Sequence, residues 1–320
     1  MIAPVCQLWL SVCTLFLAGL RKASMPKVPS AWRLWIWLLL CVRYLVPLPS
    51  PNLFPLAFET HFGAVPVPTL WPALRWSVTL LLFLLFLVRW ARWLFLFRTE
   101  LCAPPPQAIQ WQQTQNITKR AFRLACCPHI RAPLTCGLLR PLLLVPCSYG
   151  KLPSSALFPL LCHEAMHIHR FDLLKKRLAL LVAVLYWYNP CCWLLFSMVE
   201  RDMELACDAA VLKATSIHER KNYALALLTA AEAAYPNTPL WNQATGGIMK
   251  ERIVSILTPR HSSRCGRFLL AALFLLVICV VLAVPGAQAA QAVPDVTQLT
   301  AQQAEEYLTN QGFQIVRFIV

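Results

Sequence analysis

Charge is what this sequence has least of. Charged residues make up 13% of its 320 positions, about half the share of an ordinary soluble domain. Acids are scarcer still, with 14 Asp and Glu against 29 Lys and Arg. Hydrophobic residues reach 58%, and the mean hydropathy is +0.56. That composition excludes a disordered chain, a basic nucleic-acid-binding domain and an ordinary cytosolic enzyme, and it points to a multi-pass membrane protein. The net charge of +15 is then the basic bias of cytoplasmic loops, with no direct nucleic-acid partner expected. Also missing is any Cys-x-x-Cys among the 14 cysteines. The adjacent pairs Cys126-Cys127 and Cys191-Cys192 suit a single zinc poorly, and Cys6, Cys13, Cys41 and Cys279 lie in apolar runs as small hydrophobes. No disulfide framework is expected.

Four apolar stretches have about the length of a bilayer crossing: Ile2 to Leu20, Trp32 to Leu48, Leu70 to Phe97 and Phe268 to Val284. The expected fold is therefore a mostly α membrane protein. Four transmembrane helices carry a zinc-peptidase domain between the third and the fourth. The corresponding segments are 1–97 for three helices, 98–266 for the domain, 267–285 for the fourth helix and 286–320 for a tail. Lys and Arg are absent from loop 48–70, whereas loop 21–33 holds Arg21, Lys22, Lys27 and Arg33. This places the N-terminus and the tail outside a cell membrane and the domain in the cytoplasm. A basic run, Lys175-Lys176-Arg177, is expected to meet anionic membrane lipid. A fifth apolar run, Leu178 to Val199, contains Asn189-Pro190, a pair that stops helices. It is read as two helices meeting at that turn. Residues 102–115, with three prolines and several glutamines, read as a linker.

Against this apolar background stands His163-Glu164-Ala165-Met166-His167. Two histidines four apart share one helix face and can grip one zinc. Glu164 then lies beside the open coordination position as general base, where the metal lowers the pKa of a bound water to near 7. Pro153-Ser154-Ser155 precedes the helix as its cap, with Pro159 expected in the first turn. Catalytic zinc needs a third protein ligand. The acidic block Glu200 to Asp208 offers Glu204, with Asp202 and Glu200 as competitors, and Asp208 as a carboxylate able to hold a ligand histidine. A hairpin at Asn189-Pro190 keeps Glu204 on the same side as the histidines. A single crossing by Leu178 to Val199 would separate them.

These residues resemble the BlaR/MecR-type membrane metallopeptidases, a bacterial family that includes β-lactam-sensing antirepressors. The likeness runs from about Pro128 to Leu228. It rests on Gly137-Leu-Leu-Arg-Pro141, Leu142-Leu-Leu-Val-Pro146, the stretch Leu161 to Asp172, Trp187-Tyr-Asn-Pro190 and Glu204-Leu-Ala-Cys-Asp208. The resemblance implies a gluzincin domain with His163, His167 and Glu204 as zinc ligands and Glu164 as base. Asp172 matches the family pattern as a supporting carboxylate. The resemblance also implies an edge strand over Leu138 to Val145 able to hold an extended peptide, and a protein substrate that is a transcriptional repressor or the protein itself.

The antibiotic sensors carry a penicillin-binding domain after the last helix. Only about 35 residues remain here, too few for a β-lactam-binding domain. Ser148-Tyr-Gly-Lys151 spells S-x-x-K, but neither Lys-Thr-Gly nor Ser-Asp-Asn follows. His218 and Tyr223 are candidates for stabilising an oxyanion, and His169 is read as a surface histidine. The alternatives are a CAAX-prenyl or heat-shock-type membrane peptidase, a site-2-type protease (which would want an Asp in the fourth span, where none occurs) and a signalling scaffold held together by zinc.

Overall fold

The computed structural model describes residues 4–24, 28–46, 70–99, 101–214, 219–234 and 246–258, together with Gln303 and Tyr307. The described residues form nine α-helices, a short 3-10 turn and three strands. The helices are α1 (Pro4–Ser24), α2 (Ser30–Leu45), α3 (Leu70–Thr99), α4 (Pro106–Thr114), α5 (Ser154–His169), α6 (Asp172–Leu185), α7 (Pro190–Ala214), α8 (Glu219–Ala234) and α9 (Gly246–Leu257). The strands are β1 (Arg123–Cys127), β2 (Leu134–Cys136) and β3 (Leu142–Pro146), and the 3-10 turn is Cys147–Lys151.

Mostly helical matches the expectation; four membrane crossings do not. Among the described residues no helix is long and apolar enough to cross a membrane. On two of the expected spans arginines interrupt the apolar run. Arg75 and Arg89 leave only Trp76 to Val88 between them on α3, well short of the roughly 20 apolar residues a crossing needs. Helix α2 has 16 residues and buries Arg33 and Arg43. The span expectation treats these arginines as exits or snorkelling ends and gives them too little weight. The sides inferred from loop charge therefore have no crossing to rest on among the described residues. The fourth expected span and nearly all of the expected tail lie outside the described residues.

Helix α7 is the central beam. Its neighbour α2 buries Leu34, Trp37, Leu38, Cys41 and Tyr44, a spacing of three and four that makes one continuous stripe. That stripe meets Cys192, Leu195, Val199, Met203 and Ala206 of α7, with Ala179 and Val182 of α6 and Leu10 and Leu17 of α1 completing the cluster. A second cluster joins Trp111 of α4, Leu143 and Val145 of β3, Leu157, Leu161 and Ala165 of α5, Cys207 and Val211 of α7, Tyr223 of α8 and Ile256 of α9. Helix α4 is thus seated in a core, and the linker expected over 102–115 is a correction. Trp111 and Ala108 bury the face that its composition disguised.

The turn expected at Asn189-Pro190 is present. Asn189 Oδ1 accepts the Cys191 N–H at 3.0 Å and caps α7, while its Nδ2 donates to Ser11 Oγ of α1 at 2.8 Å. The sheet order is β1-β3-β2, with β1 parallel and β2 antiparallel to β3. The edge strands are therefore β1 and β2, and the apolar run expected at the edge is the central strand β3. Gly137 turns the chain between them at φ +79°, and a Cβ there would stand 2.4 Å from the Arg140 carbonyl oxygen. Only glycine fits.

Candidate metal centre

Helix α5 presents its two histidines inward. It begins at Ser154 without a side-chain cap, and Pro159 sits in its second turn rather than its first. His163 is buried, and its ring stands edge-on to that of His167 at 84° with centroids 4.7 Å apart. Their Nε2 atoms are 3.1 Å apart. Glu204 reaches in from α7, with Oε2 3.4 Å from His163 Nε2 and Oε1 3.6 Å from His167 Nε2. Donors about 2.0–2.1 Å from one tetrahedral zinc stand roughly 3.3 Å apart, so these three side chains bring their donor atoms to the spacing of a shared metal. Zinc fits this donor set of two imidazoles and a carboxylate.

Each imidazole is held from behind. His167 Nδ1 lies 2.9 Å from Asp172 Oδ2. Asp172 opens α6 immediately after Phe171, whose φ of 56° turns the chain sharply enough to aim the carboxylate back at α5. Arg170 and Lys175 bind the same carboxylate at 3.2 and 2.8 Å. Burial alone would raise the Asp172 pKa, but the hydrogen bond from His167 and these two cations hold it below its ordinary value. His163 Nδ1 lies 2.9 Å from the Tyr223 hydroxyl, which donates to Asp208 Oδ1 at 2.6 Å. Tyr223 thus stands behind a histidine rather than at the open cleft expected of an oxyanion donor. His169 is exposed, and His218 lies outside the described residues.

Glu164 lines a cleft of about 730 Å³ together with His163, His167 and Glu204. Thr135 of β2 places its hydroxyl 2.9 Å from Glu164 Oε2 and 3.1 Å from the Glu164 carbonyl oxygen. The two competitors for third ligand are engaged by other partners, Glu200 along the same cleft and Asp202 away from it. Asp202 is fully buried among Arg21, Arg33 and the Trp37 indole, and Glu200 pairs with Lys176.

Three participants gave no signal in the sequence. Thr135 is one. The second is Arg252 of α9, whose guanidinium grips Asp208 at 2.8 and 2.9 Å, Glu204 at 3.1 Å and His163 Nε2 at 3.2 Å. Against the desolvation that would raise it, Arg252 is foremost in keeping the Glu204 carboxyl well below its ordinary value. The third is Cys207, whose sulfur lies 3.6 Å from His163 Nδ1. Cys207 forms with His163 and His167 a group of potential ligand atoms within 4.8 Å of one another. Burial raises the Cys207 thiol, but His163 and His167 outweigh it and draw it below its usual pKa.

A profile of the family described as BlaR1 peptidase M56 matches residues 57–256. The regulatory protein BlaR1 of Bacillus licheniformis is 35% identical over 86 residues, which are 27% of this chain and 14% of that protein. The methicillin resistance mecR1 protein of Staphylococcus aureus is 24% identical over 118 residues, 37% of this chain and 20% of that protein. The same figures hold for that of Staphylococcus epidermidis. The matched region therefore spans a fifth or less of these relatives.

Proposed function

The chain belongs to the BlaR1 peptidase M56 family, and from that membership and the geometry of its metal centre we propose that it is a regulatory, membrane-associated zinc endopeptidase. The observation that carries the reading is the convergence of His163 Nε2, His167 Nε2 and Glu204 within 3.1–3.6 Å, beside Glu164 on an open cleft. Zinc held there supplies Lewis-acid polarisation of a peptide carbonyl and an acidified water. The protein's part is orientation and proton transfer. Glu164 takes a proton on its carboxylate as general base, with the Thr135 hydroxyl donating to Oε2 and fixing its orientation. Asp172 keeps the His167 proton on Nδ1, and the Tyr223–Asp208 pair does so for His163, which turns both Nε2 lone pairs toward the metal position.

The substrate is a protein chain, a transcriptional repressor or a second copy of this polypeptide. It enters extended along the outer edge of β2 by strand addition. Two features support this route: β2 is an edge strand, and Leu134 and Thr135 line the cleft beside Glu164. Large apolar side chains left exposed on α1 and α3, such as Phe16, Leu80 and Phe95, support association with a membrane surface. Stripping the protein with a chelator abolishes cleavage of a generic protein substrate if the reading holds, and zinc restores it. Cleavage that persists without metal refutes it.

Cys207 favours a second reading of the donor set, in which the thiolate replaces Glu204 as third ligand. Under the first reading Glu204→Gln weakens zinc binding and Cys207→Ser does not; under the second the two results exchange.

A further inference from the structure

We propose that Cys126 and Cys147 form a reversible disulfide, a redox modification site that ties strand β1 to the 3-10 turn leading into α5. Their sulfurs are 2.7 Å apart, inside van der Waals contact, so the S–S bond of about 2.05 Å needs a further approach of only about 0.7 Å. The register explains the meeting. Cys126 pairs with Val145 across the parallel ladder of β1 and β3, and Cys147 follows two residues after Val145, on the same side of the chain. Cys126 is buried and Cys147 exposed, so the pair has a solvent-facing entrance. Cys102, also exposed, is bound to Cys126 through two backbone hydrogen bonds of 2.9 and 3.0 Å.

The step is a thiol–disulfide exchange with a small-molecule disulfide as oxidant. The Cys147 thiolate attacks one sulfur of that disulfide and releases the first small thiolate. Cys126 then gives up its proton to water and attacks the Cys147 sulfur, which expels the second. Two protein thiols lose two electrons, and the small disulfide is reduced to two thiols. Burial, with the Cys147 sulfur beside it, pushes the Cys126 thiol to about 12, which makes the exposed Cys147 the point of entry. The bond closes a loop that contains β2, β3 and Thr135. It fastens the wall of the cleft that carries the Glu164 contact, and it is independent of whether the centre cleaves peptides.

The test equilibrates the full chain in glutathione buffers of increasing oxidised fraction, unfolds it in denaturant with excess iodoacetamide so that every free thiol, buried or exposed, is trapped, and maps digested peptides by mass spectrometry. The expected product is a Cys126–Cys147 peptide, lighter by two hydrogens than its two reduced halves, which disappears with excess dithiothreitol. It persists in Cys102→Ser and Cys127→Ser and is lost in Cys147→Ser. The wild-type map is decisive by itself. Cys126 still alkylated as a free thiol in the most oxidising buffer, or linked to Cys102 instead, overturns the assignment.

Discussion

The hydroxyl of Thr135 is the contact that fixes the Glu164 carboxylate at 2.9 Å. Replacing Thr135 by Val keeps the shape and deletes one hydrogen bond to a charged group, which contributes about 1.5–3 kcal/mol. The variant should lose roughly ten- to a hundred-fold in kcat while retaining its zinc. An unchanged kcat would show that Glu164 does not depend on this contact. Cys136 lies next to Thr135, and burial pushes its thiol to about 12. A folded-state value raised above the ordinary 9.0 means that the neutral thiol is complete below pH 9. Its stabilising contribution is lost as the pH rises from there toward about 12. At pH 8 about one molecule in 10⁴ carries the Cys136 thiolate, so iodoacetamide should leave Cys136 untouched while it labels the exposed Cys102. Labelling of both at equal rates would contradict the burial.

At the scale of elements, Gly137 is the joint that lets β2 fold back along β3. At φ +79°, with the Arg140 carbonyl where a Cβ would go, Gly137→Ala should cost about 1–3 kcal/mol, read as a lower Tm. No loss of Tm would mean that the turn can adopt another path. Much at this scale was legible in the sequence. The motif helix showed through two histidines four apart, and the α6–α7 corner through Asn189-Pro190, because both are local patterns. The edge strand was misplaced by one hairpin. Leu142 to Val145 is the more apolar run, and a run apolar throughout belongs to the strand covered on both sides, here β3 between β1 and β2. Helix α4 was hidden because a few buried residues, Ala108 and Trp111 among them, hold an otherwise polar segment. Arg252 could not be read at all, and Tyr223 was picked out only for a different role, since α8 and α9 are brought to α5 and α7 only by tertiary packing.

At the scale of the whole molecule, one buried acid ties α1 and α2 to α7 beside their shared apolar core. Asp202 binds Arg21 of α1, and Arg33 and Trp37 of α2. Arg21 continues to Glu251 of α9, the residue beside Arg252. The N-terminal helices and the metal centre thus hang on opposite faces of the same α7–α9 pair. Asp202→Ala leaves Arg21 and Arg33 buried without that carboxylate and should cost about 3–5 kcal/mol, measured by denaturant unfolding. Folded protein of that variant should still bind zinc, whereas loss of zinc from folded protein would restore Asp202 as the third ligand.

The most direct measurement compares wild type with Glu164→Gln for zinc content and for cleavage of a protein substrate in the same preparation. Glu164→Gln should keep its zinc and lose about 10²–10⁴-fold in cleavage rate. Zinc retained with cleavage undiminished would contradict Glu164 as the base and leave a metal that organises the domain without catalysing hydrolysis.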